Sequence, residues 1–175
     1  ALMVGASDAA NVDTVIATAS GALGAAIGVV TNVITTDHST GVVVTGTSTD
    51  KSSLTGTSVS VDADAKEGIS SLLIAASGAQ YAAVSASVNV NRQLSDVSAA
   101  VDQTEVLGSF AQNANYLGRI TTSAITAAGS QYAAVPISVV INYADNAVSS
   151  SVAHSILRAE GQSASVGANR ISEFS

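Results

Sequence analysis

The residues whose types could do chemistry are few, and each set misses a geometric requirement. Asp62-Ala63-Asp64, followed by Glu67 and Gly68, has the composition of a calcium loop. Such a loop needs glycine at its sixth position for the sharp turn and a bidentate acid at its twelfth. Counted from Asp62, Gly68 is one position late and the twelfth position is Leu73, so Ala63 to Gly68 reads as a solvated charged turn. His38, beside Asp37, and His154 are the two histidines. Nucleophilic catalysis needs serine, histidine and an acid to converge. In a chain this rich in serine, some serine always lies near a histidine, so the pairing carries no information and both read as exposed loop residues. Nothing in the sequence calls for a metal or a cofactor, and no catalytic residue can be named.

The elements that would have to position these residues come from a repeat. Ser77 to Asn91 (SGAQYAAVSASVNVN) returns fifty-one residues later as Ala128 to Asn142 (AGSQYAAVPISVVIN), and a fainter copy, SGALGAAIGVVTNVI, lies fifty-seven residues earlier at Ser20 to Ile34. The match extends upstream through VDTVIATASG, ISSLLIAASG and ITTSAITAAG, from Val12, Ile69 and Ile120. Self-similarity at this spacing marks a stacked architecture. Within each copy the residue types alternate. One face reads Ala25, Ile27, Val29, Thr31, Val33, then Ala82, Val84, Ala86, Val88, Val90, then Ala133, Val135, Ile137, Val139, Ile141. The other face reads Ser85, Ser87, Asn89, Asn91 in the second copy. Period two means strand, with the apolar face expected inside and the polar face in water. Tyr81 and Tyr132 fall at equivalent positions and are expected to stack between layers. Asn32 and Asn89 also match, as part of an incomplete asparagine ladder together with Asn91 and Asn142.

Composition agrees with a thin core of stacked small residues. Six of the 175 residues are Phe or Tyr, Trp and Cys are absent, and Val, Ala, Ser, Thr and Gly dominate. Thirteen acids against six bases give a formal charge of −7, which argues against nucleic acid, because phosphate binding needs a concentrated basic face. No apolar run reaches the length of a membrane span. Without cysteine, stability rests on ladder and core, a pattern compatible with secretion.

In chain order, Ala1 to Asn11 reads as a loop or an atypical first coil. Repeat blocks follow at about 12–68, 69–119 and 120–152, with an irregular end over 153–175. The whole, 1–175, is expected to be a single all-β segment: a parallel β-helix, or β-solenoid, of about three repeats of 51 to 57 residues. Each repeat is expected to hold two or more coils of about 20 to 29 residues. Thr45 to Thr57, rich in Ser, Thr and Gly, reads as a solvated coil of the stack. Val101 to Leu117 reads as a loop projecting from it, with Phe110, Asn113, Asn115 and Tyr116 as the candidate contact residues. Pro136 falls mid-strand on the polar, outward face, which predicts a bulge or an open edge. His154 to Glu160 reads as a short helix or a last frayed strand. Ile171 to Ser175 closes no repeat, so the chain reads as a fragment of a longer protein with cloning residues at its end.

The Ser-Gly-Ala start, the alternating Ala/Val/Ser run and the Val-Asn-Val-Asn ending, followed by a polar turn and a short Val-containing strand, resemble the repeats of leukotoxin-type and filamentous-haemagglutinin-like bacterial adhesins, which belong with the autotransporter passengers. The likeness covers most of residues 12 to 152. It implies a right-handed β-helix, secreted or displayed at the bacterial surface as a stalk or adhesive fibre, non-catalytic, with a host or bacterial receptor of protein or glycan as partner. Unequal repeat lengths, the Ser/Thr-rich coil and Pro136 depart from the pattern. Two other classes compete. A self-assembling filament would add copies at open coil ends. A carbohydrate-active β-helix enzyme would need paired carboxylates on one strand face, and none is expected here.

Overall fold

The computed structural model describes residues 1–159 and 163–175. The chain is all-β and runs alternately through two parallel sheets. One sheet holds β1 (Leu2–Ala22), β3 (Ser52–Ala79), β5 (Thr104–Gly129), β7 (Ile156–Arg158) and β8 (Ala164–Phe174); the other holds β2 (Ala25–Thr45), β4 (Ala82–Asp102) and β6 (Ala133–Ala153). The arrangement is solenoid-like. One repeat is one circuit made of two long strands, in place of the two or more short coils expected from its length. A strand of 21 residues spans about 70 Å at about 3.3 Å per residue, while each circuit adds only about 4.8 Å in the stacking direction. Few turn-forming residues interrupt the alternation, so the strands continue across stretches that read as turns or loops. Ala1 to Asn11 enters β1 at Leu2, the charged Ala63 to Gly68 lies inside β3, and Val101 to Leu117 forms the end of β4 and the first half of β5. His154 to Glu160 contributes the short strand β7; Glu160 lies outside the described residues.

The two repeat spacings are the two register offsets. Val12 pairs with Ile69 and Ala25 with Ala82, fifty-seven apart; Ile69 pairs with Ile120 and Ala82 with Ala133, fifty-one apart. The six-residue difference has two sources. Gly46 to Lys51 joins β2 to β3, where Gln103 alone joins β4 to β5, which accounts for five residues. The sixth is a bulge, where the β3–β5 register shifts between Thr55 and Ser58. Gly108 sits opposite it with φ 123°, its α-carbon hydrogens facing the Gly56 carbonyl so closely that no side chain fits. Of the Ser/Thr-rich stretch, Gly46 to Lys51 is therefore loop and Ser52 to Thr57 is strand.

The faces are inverted relative to expectation. In β4 the inner face is Ala83, Ser85, Ser87, Asn89, Asn91, Gln93, Ser95, Val97, Ala99 and Val101, all buried. The Val-rich face points outward: Ile27 is 69%, Val33 71% and Ile141 51% exposed. The interior accordingly has two halves. Near the β4–β5 connection Val59, Val61, Ala63, Val97, Ala99, Val101, Val106 and Phe110 form an apolar cluster. Toward the Tyr81 end, Ile69, Leu73 and Ile120 of the first sheet face the serines and asparagines of the second. Pro136 pairs with Ser85, which puts it on the inner-face side of β6. β6 is the terminal strand of its sheet and keeps its register throughout, so Pro136 lies in an edge strand with no bulge.

Candidate functional site

The inverted faces place the candidate residues in two environments. Of the four proposed contact residues, Phe110 and Tyr116 are each only 2% exposed and belong to the interior. They lie on a strand, where alternation sends every second side chain inward. Asn113 and Asn115 point outward from the same strand. Asn113 Nδ2 donates to Asp62 Oδ1 at 2.9 Å, and Asn115 Nδ2 donates to Asp64 Oδ1 at 2.8 Å. Parallel register extends both pairs into rows: Gly5, Asp62, Asn113, Gly167 and, beside it, Ser7, Asp64, Asn115, Asn169. A shallow open groove runs along the second row, bounded by Lys66, Leu117 and Ile171. Asp62 and Asp64 thus form an acidic pair on one strand face, where the sequence predicted a charged turn from Ala63 to Gly68 and no paired carboxylates. The i, i+2 spacing was the available signal once the stretch is taken as strand.

Glu67 faces the other way and is 3% exposed. Asp62, Asp64 and Glu67 therefore do not converge, and among the described residues no three His, Cys, Asp or Glu side chains gather at one point. Glu67 is the centre of an interior cluster. Ser95 donates a short hydrogen bond to Glu67 Oε1, Tyr116 donates to Glu67 Oε2 at 3.3 Å, and His38 Nδ1 stands 3.5 Å from Oε1. His38 is a strand residue on β2, paired in register with Ser95, and not an exposed loop histidine. Serine and histidine both address the carboxylate and not each other, so the serine–histidine–acid order of a catalytic triad is not formed here. Burial, and after it the Glu67 charge, pushes the Tyr116 hydroxyl up to about 12. Gly118 leaves room for that ring: a Cβ there would stand 2.7 and 2.8 Å from Tyr116 ring carbons. His154, with φ 48°, is exposed in the β6–β7 connection and contacts Asp102 at 3.0 Å.

The repeat ladders are present. Tyr81 and Tyr132 stack with centroids 5.7 Å apart and planes 16° from parallel. Asn32 Nδ2 donates to Asn89 Oδ1 at 3.3 Å, and Asn91 Nδ2 to Asn142 Oδ1 at 3.0 Å. These amides run inside the structure, where Asn89 and Asn91 also bond Ser71 of the facing sheet, and Asn91 bonds Thr122. Among the described residues no helix is long and apolar enough to cross a membrane. No protein-family model, no curated protein and no solved structure matches the chain.

Proposed function

We propose that this chain is a non-catalytic structural and adhesive segment of a secreted or surface-displayed bacterial filamentous adhesin, a right-handed parallel β-helix of the leukotoxin-type and filamentous-haemagglutinin-like kind. The observation that carries the reading is the coincidence of the repeat spacings with the strand registers: each repeat adds one layer, and further repeats lengthen the stack without changing its section. The dimensions favour contact over reach. Fifty-one residues add about 4.8 Å of stack but about 70 Å by 4.8 Å of new surface on each sheet, so the product of each repeat is area.

The contact surface is the outer face of the first sheet, where Asp62, Asp64, Asn113, Asn115 and Asn169 present carboxylate acceptors and amide donors in rows. Paired donors and acceptors at strand spacing suit the hydroxyls of a glycan, and a rigid sheet supplies them preorganised. Binding of the purified chain to immobilised glycans and to host-cell surfaces tests this. The N115A/N169A double variant is expected to lose binding at least about tenfold with an unchanged circular dichroism spectrum. Equal binding by the variant, or no binding by the parent chain, refutes the contact assignment. A self-assembling filament is the second reading: β1 and β2 at one end and β6 at the other are the outermost strands among the described residues, and a strand edge of that kind can accept another copy.

A further inference from the structure

The outer face of the β2–β4–β6 sheet is apolar and uncovered. Ile27, Val29, Val33, Val135, Ile137, Val139 and Ile141 are 41% to 71% exposed, in unbroken register with Val84, Val88 and Val90 of the central strand. One-sided antiparallel sheets keep apolar residues in and polar residues out; parallel sheets are covered on both faces. Here the inner face of the central strand is largely Ser, Asn and Gln, and none of the described residues covers the apolar face. We propose that this face pairs with the same face of a second copy, antiparallel about a two-fold axis through the Val29, Ala86, Ile137 row. The pairing is lateral, distinct from addition at the strand edges, and does not depend on the adhesin reading.

Area and charge choose this occupant. The patch extends from Leu23, Tyr81 and Tyr132 at one end to the Thr35, Arg92, Tyr143 row at the other. At strand and sheet spacings it measures about 43 Å by 14 Å, or roughly 600 Å² per copy and 1,200 Å² for the pair, at the threshold of stable interfaces. Between these limits Leu23–Ile34, Tyr81–Asn91 and Tyr132–Asn142 contain no charged residue. Beyond them the same face carries Asp37, Asp96, Asp102 and Asp145 against Arg92 alone. Parallel pairing would set aspartates against aspartates, whereas the two-fold antiparallel arrangement sends the acidic halves to opposite ends and buries only the uncharged halves. Isologous closure also limits the assembly to two.

Sedimentation velocity over a concentration series tests the proposal. The chain is expected to give a monomer–dimer equilibrium, and V29K and I137E, both at exposed positions, are each expected to weaken it by at least about 100-fold, since each buries an unpaired charge, with unchanged circular dichroism. The chain has no cysteine, so single cysteines report orientation. Ala86→Cys, on the axis, is expected to join to itself through a short thiol cross-linker, while Ala82→Cys joins to Val90→Cys and not to itself. A monomer at all concentrations overturns the proposal, as does an open-ended polymer insensitive to V29K. Self-linking at Ala82 overturns the antiparallel geometry. A monomer that floats with zwitterionic phosphatidylcholine vesicles overturns it in favour of a lipid-facing surface.

Discussion

Exchanging which face is buried makes two aspartate substitutions change places in severity. Asn91 is fully buried, and its Nδ2 stands 2.8 Å from Thr122 Oγ1, 3.0 Å from Asn142 Oδ1 and 3.2 Å from Ser71 Oγ. Asn91→Asp keeps the shape but removes both amide hydrogens and sets a carboxylate against the Asn142 carbonyl oxygen. Thr122 and Ser71 can turn their hydroxyls to donate, so part of the loss is recovered. What remains is an uncompensated buried charge, expected to cost about 3–5 kcal/mol, a large share of the roughly 5–15 kcal/mol that holds a domain together. Val33→Asp lies on the outer face at 71% exposure and is expected to change stability by no more than about 0.5 kcal/mol. Urea unfolding followed by circular dichroism, at concentrations low enough to keep the chain monomeric, compares the two. A larger loss for Val33→Asp than for Asn91→Asp would refute the inverted faces and restore an interior lined by Ile27, Val29 and Val33.

Three further outcomes follow from the interior. Gly118→Ala is expected to destabilise by about 1–3 kcal/mol through overpacking against the Tyr116 ring, exceeding the roughly 0.4–1 kcal/mol that glycine replacement returns from the unfolded chain; Tyr116→Leu in the same chain is expected to relieve the added loss, measured by a double-mutant cycle in urea. The raised Tyr116 value, about 12 against 10.0, means that its contribution is whole below pH 10 and declines as pH rises from 10 to 12, because the unfolded chain loses that proton first. Ultraviolet titration is expected to show one of the four tyrosines ionising near 12, and Tyr116→Phe to remove that part of the alkaline loss of stability. Gln112 Nε2 donates to the Ala99 carbonyl at 2.7 Å and the Ser151 carbonyl at 2.9 Å, tying β5 to β4 and β6. Gln112→Met, which strands both carbonyls, is expected to cost about 1–3 kcal/mol in the same unfolding assay.

Local features of the fold were legible because they depend on neighbours in the repeat. Alternation over Ala82 to Asn91 marked a strand, and the fifty-one and fifty-seven residue offsets are the pairing registers themselves. Tyr81 on Tyr132 and Asn32 on Asn89 follow from those offsets. The candidate site was legible only in part. Asn113 and Asn115 do lie on an outer surface, but Phe110, three positions before Asn113, and Tyr116, next after Asn115, are inside, because the stretch is a strand and not a loop. Asp64 and Lys66 read as part of a turn because charge within a strand is uncommon; here they point to water while Glu67, on the other face, is held by Ser95 and Tyr116.

The strand character of the repeated blocks and their pairing register were therefore determined by the sequence alone, since repeated residues must stack on their own copies. Which face is interior was decided only by tertiary structure. Alternation divides a strand into two faces without assigning either to the core, and the usual preference for burying valine assumes that asparagine and serine have no partners inside. Here Asn89 and Asn91 find theirs on Ser71, eighteen and twenty residues back in the facing sheet, and on Asn32 and Asn142, one circuit away. The Ser71 partner exists only when the two sheets pack face to face, and with it the polar face can be buried while the valines are left outside.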